Sequence, residues 1–214
     1  MKARHLPNLI TLARLVLAVA CFWFLGDLVE AKDPSEIERL AFFAFWLFLA
    51  ASLSDFFDGW LARRNNWVSA FGRVADPVAD KVLMLGTAIY LTAADNLARP
   101  GDFLAIMPIW GVVLLLSREF LVTAIRGMVE SRGMQFPADR YGKWKLIVQA
   151  FYLAIPLGVA GRAPEVLHLD FLMHTREPYF FIVVFWLMMG LTVLSGIHYI
   201  GRAVRLLRSD SEEI

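Results

Sequence analysis

Four aspartates, Asp55, Asp58, Asp76 and Asp80, stand within 26 residues of one another and are the side chains best suited to chemistry. The members of the first pair are three residues apart and those of the second four apart, so on helices each pair projects from one face. The stretch around them reads SDFFDGWLARRNNWVSAFGRVADPVADK and holds neither His nor Cys. Four carboxylates in a low-dielectric setting repel one another and would retain protons unless a positive charge compensates. Hard divalent cations supply that charge, and an oxygen-only ligand set suits magnesium or manganese far better than zinc. Two such ions, roughly 3.5 to 4 Å apart, would clamp the attacking and leaving oxygens of a phosphoryl displacement. The small residues Gly59 and Ala62 would let a phosphate group approach the helix backbone beside the acidic face, and Gly72 would do the same at the turn. Arg63, one turn beyond Gly59, offers a planar fork of donors to phosphate oxygens. The set fits a nucleotide diphosphate.

The elements that must position these residues are membrane helices. The chain of 214 residues is 58% hydrophobic, has a mean hydropathy of +0.57 and is rich in Phe and Trp, outside the range of ordinary soluble domains. Apolar runs suggest six spans, at residues 9–28, 40–58, 77–94, 103–128, 144–160 and 179–204. Lys2 and Arg4 precede the first run, but no small-residue cleavage site closes it, so it is expected to remain in the mature protein. With no repeat, low-complexity tract or linker, a single domain over residues 1–214 is expected. A net charge of +1 gives no electrostatic case for a nucleic-acid partner. The single cysteine, Cys21, and the scattered histidines His5, His168, His174 and His198 suggest no disulfide or metal site.

Lys and Arg gather in cytoplasmic segments near helix ends, and that bias orients the bundle. Lys2 and Arg4 place the N-terminus inside, the acidic connection at 27–38 lies outside, and Arg63, Arg64 and Arg73 mark the next connection as cytoplasmic. The alternation continues to Arg202, Arg205 and Arg208, so both termini are expected in the cytoplasm. The charges carried into the spans, among them Arg14, the four aspartates, Arg118, Arg126, Lys143 and Lys145, all fall on that side. Intramembrane charge is costly unless paired, hydrated or ion-bound, so these groups are expected to share a water-accessible cavity. The fold expected is all-α: a polytopic protein with six transmembrane helices and a cytoplasm-facing polar cavity, in the cell (inner or plasma) membrane.

Two other accounts of the same residues exist. In one, the aspartates only form salt bridges with Arg63, Arg64, Arg73 and Lys81 while the glycines permit close helix packing. In the other, the chain is a cation transporter, but transport sites are expected near the bilayer midplane rather than gathered at one face.

The residues Asp55, Asp58, Gly59, Ala62, Arg63, Gly72, Asp76 and Asp80 fill every position of a signature that resembles that of the CDP-alcohol phosphotransferases. The resemblance implies a six-helix membrane enzyme, usually a homodimer. In it Asp55, Asp58 and Asp76 chiefly hold the metals and the diphosphate, and Asp80, also a metal-site residue, acts as base. The segments LPNLITLAR at 6–14, ADPVADK at 75–81, REFLVTAIR at 118–126 and GKWK at 142–145 are similar to the branch that makes phosphatidylglycerophosphate. Gly127 and Leu146 depart from that branch, which is expected to carry an acidic residue and a Thr there. The resemblance therefore implies CDP-diacylglycerol as donor and glycerol 3-phosphate as acceptor, with inositol phosphate or serine as alternatives. Asn8, Thr11 and Arg14 would line the nucleotide pocket, although Asn8 also suits a helix cap after Pro7. Arg118, Arg126, Lys143 and Lys145 would bind the acceptor phosphate, their other role being the positive-inside signal.

Overall fold

The computed structural model of the chain describes residues 6–65, 70–97, 107–134, 140–166 and 178–212, with the side chains of 6–10, 55–65, 70–77, 80, 95, 140–141, 164, 178–179 and 209–212 outside that description. Six long helices account for most of it: α1 (Leu6–Glu30), α2 (Pro34–Asn65), α3 (Ala70–Ala93), α4 (Ile109–Ser131), α5 (Arg140–Ala160) and, after the short α6 (Ala163–Val166), α7 (Pro178–Glu212). A 3-10 turn, Asp95–Leu97, follows α3. The six match the six apolar runs, but most begin earlier or end later than the hydropathy does. α2 continues to Asn65 and α7 to Glu212, because a helix leaving an apolar layer keeps its backbone hydrogen bonds while its side chains turn polar.

Local chemistry sets several of the ends. Asp33 caps α2: its Oδ2 accepts from the Glu36 amide at 3.3 Å and from Ser35 Oγ, and Pro34 opens the helix where no intrahelical donor is needed. α4 stops at Gly133, whose φ of +76° is costly for any residue with a Cβ and whose amide closes on Glu130 O at 3.0 Å.

Each of the six long helices has at least 21 residues, and about 20 suffice to cross the hydrocarbon. Three are also apolar enough by composition, over Thr11–Glu30, Pro34–Ser54 and Phe180–Arg208, while α3 contributes the shorter apolar stretch Lys81–Ala93. The others carry ionisable side chains partway along. Large apolar side chains face outward on all six long helices, among them Trp23, Phe43, Ile89, Phe120, Ile147 and Ile197. Such a belt has no place in water and is what a lipid-facing surface requires. The chain has the length, composition and surface of an all-helical membrane protein.

α1 packs against α2 and α3, α5 against α2, α3 and α7, and α4 against α3 and α7. The main core runs along buried stripes, with alternating spacings of three and four residues at Ala18, Cys21, Leu25 and Leu28 on α1 and at Ala41, Ala44, Phe48 and Ala51 on α2, joined by Tyr152, Leu153 and Leu157 on α5. Glycines bring backbones close. At Gly161 a Cβ would stand 2.4 Å from the backbone nitrogen of Phe42, so the end of α5 lies directly on α2. A smaller cluster of Val122, Val129, Tyr199 and Ala203 joins the C-terminal halves of α4 and α7.

Helices successive along the chain alternate in direction, and contacts at both ends of the bundle fix this for α1, α2, α3 and α5. The start of α1 meets the second half of α2 through Arg14 and Ser54, while the end of α1 is capped from beyond α3, where Asn96 Nδ2 donates to the carbonyls of Leu28 and, at 2.9 Å, Ala31. The end of α5 returns to the start of α2, where Arg162 pairs with Glu38 at 3.0 Å.

Candidate active site

The polar residues of the bundle lie on the same stripes that form its core, displaced toward one end. On α1 the buried stripe continues backward into Arg14 and Thr11, each 1% exposed. Arg14 Nε donates to Ser54 Oγ at 3.3 Å, and Ser54 Oγ donates in turn to Ala51 O at 2.7 Å. Arg14 is thus held against α2 at the residue immediately before Asp55. Continuing the α2 stripe past Ala51 in helical register gives positions 55, 58 and 62, which are Asp55, Asp58 and Ala62. Continuing the α3 stripe of Thr87 and Leu83 toward its start gives Asp80 and Asp76. Both aspartate pairs therefore sit on helical backbone, on helices that pack against each other, at the register of the core. The side chains of Asn8, Asp55, Asp58, Gly59, Ala62, Arg63, Gly72, Asp76 and Asp80 lie outside the described residues.

Beside them, α4, α5 and α7 form a charged knot. Glu119 Oε1 accepts from Arg118 Nη1 at 2.8 Å and from Lys145 Nζ at 2.5 Å. Arg118 Nη2 donates to Ser195 Oγ at 3.1 Å, and Ser195 Oγ donates to Thr192 O at 3.0 Å. The Arg118 side chain passes between two glycines: a Cβ on Gly142 would meet its Nη2 at 3.7 Å, and one on Gly196 its Cγ at 3.5 Å. Lys145 is nearly sealed, its side chain 2% exposed, so its charge is tolerated only because a carboxylate sits against it. The knot carries two cations and one anion, a net positive charge fixed by three helices. Lys81, next to Asp80, is turned to α4, where its Nζ donates to Thr123 Oγ1.

The four expected phosphate-binding cations separate in this arrangement. Arg118 and Lys145 meet at Glu119. Arg126 lies two turns beyond Arg118, its Nε donating to Tyr199 Oη at 3.0 Å within the smaller apolar cluster. Lys143 is exposed and off the buried stripe of α5. The residue that sequence reasoning missed is Glu119. The signal was present: a carboxylate inside an apolar run is a functional candidate by default, and it adjoined an arginine already under consideration.

On α4 and α5 two buried polar atoms lack a partner among the described residues, Arg118 Nε and Gln149 Oε1. Leaving such a group unpaired costs about 1–3 kcal/mol, so each is a place where a ligand's polar atom would be welcome. Among the described residues no three His, Cys, Asp or Glu side chains form a metal site, and the four aspartates fall outside that set. Their donor chemistry, carboxylate oxygen alone, fits magnesium or manganese.

A helical bundle with an outward apolar belt, an acidic signature and buried cations at one end suits a membrane enzyme of phosphorylated substrates, and comparison with known proteins gives the family. Residues 4–197 match the family model of the CDP-alcohol phosphatidyltransferases, and the chain belongs to that family. It is 30% identical over 197 residues to the CDP-diacylglycerol–glycerol-3-phosphate 3-phosphatidyltransferase of Rickettsia typhi, covering 92% of this chain and 95% of that one. The protein of the same name from Bacillus subtilis is 30% identical over 214 residues, covering 97% and 99%. A probable phosphatidylglycerophosphate synthase of Mycobacterium tuberculosis is 35% identical over 201 residues, covering 94% and 82%.

Proposed function

We propose that this protein transfers the phosphatidyl group of CDP-diacylglycerol to glycerol 3-phosphate, forming phosphatidylglycerophosphate and releasing CMP. The observation that carries this reading is similarity over nearly the whole chain to enzymes named for that reaction, rather than over the signature alone.

The donor's acyl chains lie in the bilayer and its cytidine diphosphate enters a polar cavity open to the cytoplasm. Asn8 and Thr11 line the nucleotide side. Gly59, Ala62 and Gly72 let the diphosphate approach the backbone, and Arg63 donates to its oxygens. Asp55, Asp58 and Asp76, with Asp80 at the edge of the set, would hold two magnesium or manganese ions. Bound there, those ions would offset charge on the diphosphate and on departing CMP. Asp80 takes the proton from the acceptor's primary hydroxyl, whose oxygen attacks the lipid-linked phosphorus as the bond to CMP breaks. Arg118 and Lys145, spaced by Glu119, receive the acceptor's phosphate at the level of the reaction. Arg126 and Lys143 act farther out, attracting the anion toward the cavity.

Six transmembrane spans in the cell (inner or plasma) membrane, both termini in the cytoplasm and a homodimer complete the proposal. Cysteines introduced within 33–36 or 162–168 should react with impermeant reagents from outside intact cells; reaction only after the membrane is opened contradicts the orientation. The function is tested with purified protein, radiolabelled CDP-diacylglycerol and a panel of acceptors. Glycerol 3-phosphate should be used far better than inositol phosphate or serine. Turnover of either of those with glycerol 3-phosphate ignored overturns the acceptor assignment.

A further inference from the structure

We infer that Gln149 reads the secondary hydroxyl of the acceptor, making it a specificity-determining residue; this rests on the acceptor proposed above. Gln149 is 1% exposed, and its carboxamide oxygen has no hydrogen-bond donor among the described residues. A carboxamide oxygen can only accept, so what it lacks is a donor. Its place on α5 says where that donor would come from. Lys145, Gln149, Tyr152 and Pro156 form one buried stripe, which puts Gln149 a single turn deeper than the lysine held by Glu119.

Arg118 Nε supplies the complementary half: a buried donor without an acceptor, on the side chain that meets Lys145 at the same carboxylate. The region thus offers a spare donor at the level of the cations and a spare acceptor one turn further in. Glycerol 3-phosphate presents the reverse order, phosphate oxygens at one end and hydroxyl donors at a distance close to one helical turn of about 5.4 Å. With the phosphate between Arg118 and Lys145, the primary hydroxyl is committed to Asp80 as nucleophile. The secondary hydroxyl remains, and Gln149 Oε1 accepts from it. An alcohol phosphate without that hydroxyl would leave the carboxamide oxygen dry and unpaired, the condition under which a site rejects an analogue most strongly. Of the other buried oxygens lacking a partner among the described residues, Ser52 Oγ, Thr87 Oγ1 and Asn96 Oδ1, none shares a helix stripe with a cation of the knot.

The experiment compares kcat/KM for glycerol 3-phosphate and for 3-hydroxypropyl phosphate, which differs only by the missing secondary hydroxyl, with CDP-diacylglycerol as donor. The parent, Gln149→Met, close in volume, and Gln149→Glu, which keeps an acceptor oxygen, are assayed side by side. The parent should prefer glycerol 3-phosphate by about tenfold or more. In Gln149→Met the preference should shrink to within about threefold, through loss on glycerol 3-phosphate alone, with KM for the donor unchanged. Gln149→Glu should keep the preference while binding both phosphates less well. Equal losses on both acceptors in Gln149→Met would mean a packing role, and an undiminished preference would mean that another group reads the hydroxyl; either overturns the proposal. A parent enzyme that uses neither phosphate refutes the acceptor reading itself, a result obtained before any variant is compared.

Discussion

The two ends of the bundle are built from the same six long helices but held together by different physics. At the end where α1 finishes and α2 begins, packing dominates: Gly161 against the Phe42 backbone, Gly86 beneath the ring of Phe22, and Trp110 edge-on to Phe185 at 5.4 Å. At the other end the stripes turn polar, and helices meet through Arg14 and Ser54, Lys81 and Thr123, and the Arg118–Glu119–Lys145 knot. Apolar burial is non-directional and stabilises whatever fills the space, whereas buried charge is stabilising only in the right geometry. The difference teaches that one end is held by packing and the other by paired polar groups; under the proposed function the first sets stability and the second chemistry, and substitutions should separate the two.

The largest effect is expected at the aspartates. Asp55→Asn, Asp58→Asn and Asp76→Asn should each lower turnover by about 10²- to 10⁴-fold and weaken metal dependence, with no loss of thermal stability. Rates that keep the parent's metal dependence in all three would remove the metal assignment. Next come the cations of the knot. Arg118→Ala and Lys145→Ala should raise KM for glycerol 3-phosphate by about 10- to 100-fold, the worth of a hydrogen bond to a charged group, and leave KM for CDP-diacylglycerol within about twofold. Lys143→Ala, on an exposed site, should do less, and steady-state kinetics on the three variants would reverse that order if the exposed lysine were the principal phosphate ligand.

At the opposite end the readout changes from rate to stability. Gly161→Ala places a Cβ 2.4 Å from a backbone nitrogen, which no side-chain rotation relieves. It should cost about 1–3 kcal/mol, seen as a Tm lower by several degrees, while the folded fraction keeps the parent's kcat. A large loss of kcat with Tm unchanged would break the division between the ends. The smallest effect is expected at Arg162 and Glu38, whose side chains are 57% and 42% exposed. Arg162→Ala should change stability by about 0.5 kcal/mol or less and leave activity untouched.

Much of this arrangement was legible in the sequence because it is written in periodicity. The apolar runs located six helices, and Asp55, Asp58, Asp76 and Asp80 fall on helical backbone, as their spacing required for each pair to share a face. What could not be read was partnership between distant segments. Nothing in REFLVTAIR states that Glu119 will receive Lys145 from α5, or that Ser195 of α7 will hold Arg118, since those contacts exist only once three helices pack. Lys143 and Lys145 are an intermediate case. They look equivalent in GKWK, yet the phase set by Gln149, Tyr152 and Pro156 puts only Lys145 on the buried stripe, and that phase was available from the sequence. Helix ends were least legible, because hydropathy marks where a helix is apolar and not where its hydrogen bonding stops, as α2 and α7 both show.

The claim that the polar end performs the transfer is tested most directly at Asp80, by measuring CMP release from CDP-diacylglycerol in the presence of glycerol 3-phosphate alongside donor binding. The expected result for Asp80→Asn is donor affinity close to the parent's and turnover reduced by about 10²-fold or more, with CMP and phosphatidylglycerophosphate falling together. Parental turnover in Asp80→Asn would contradict the account and require the base to be sought elsewhere.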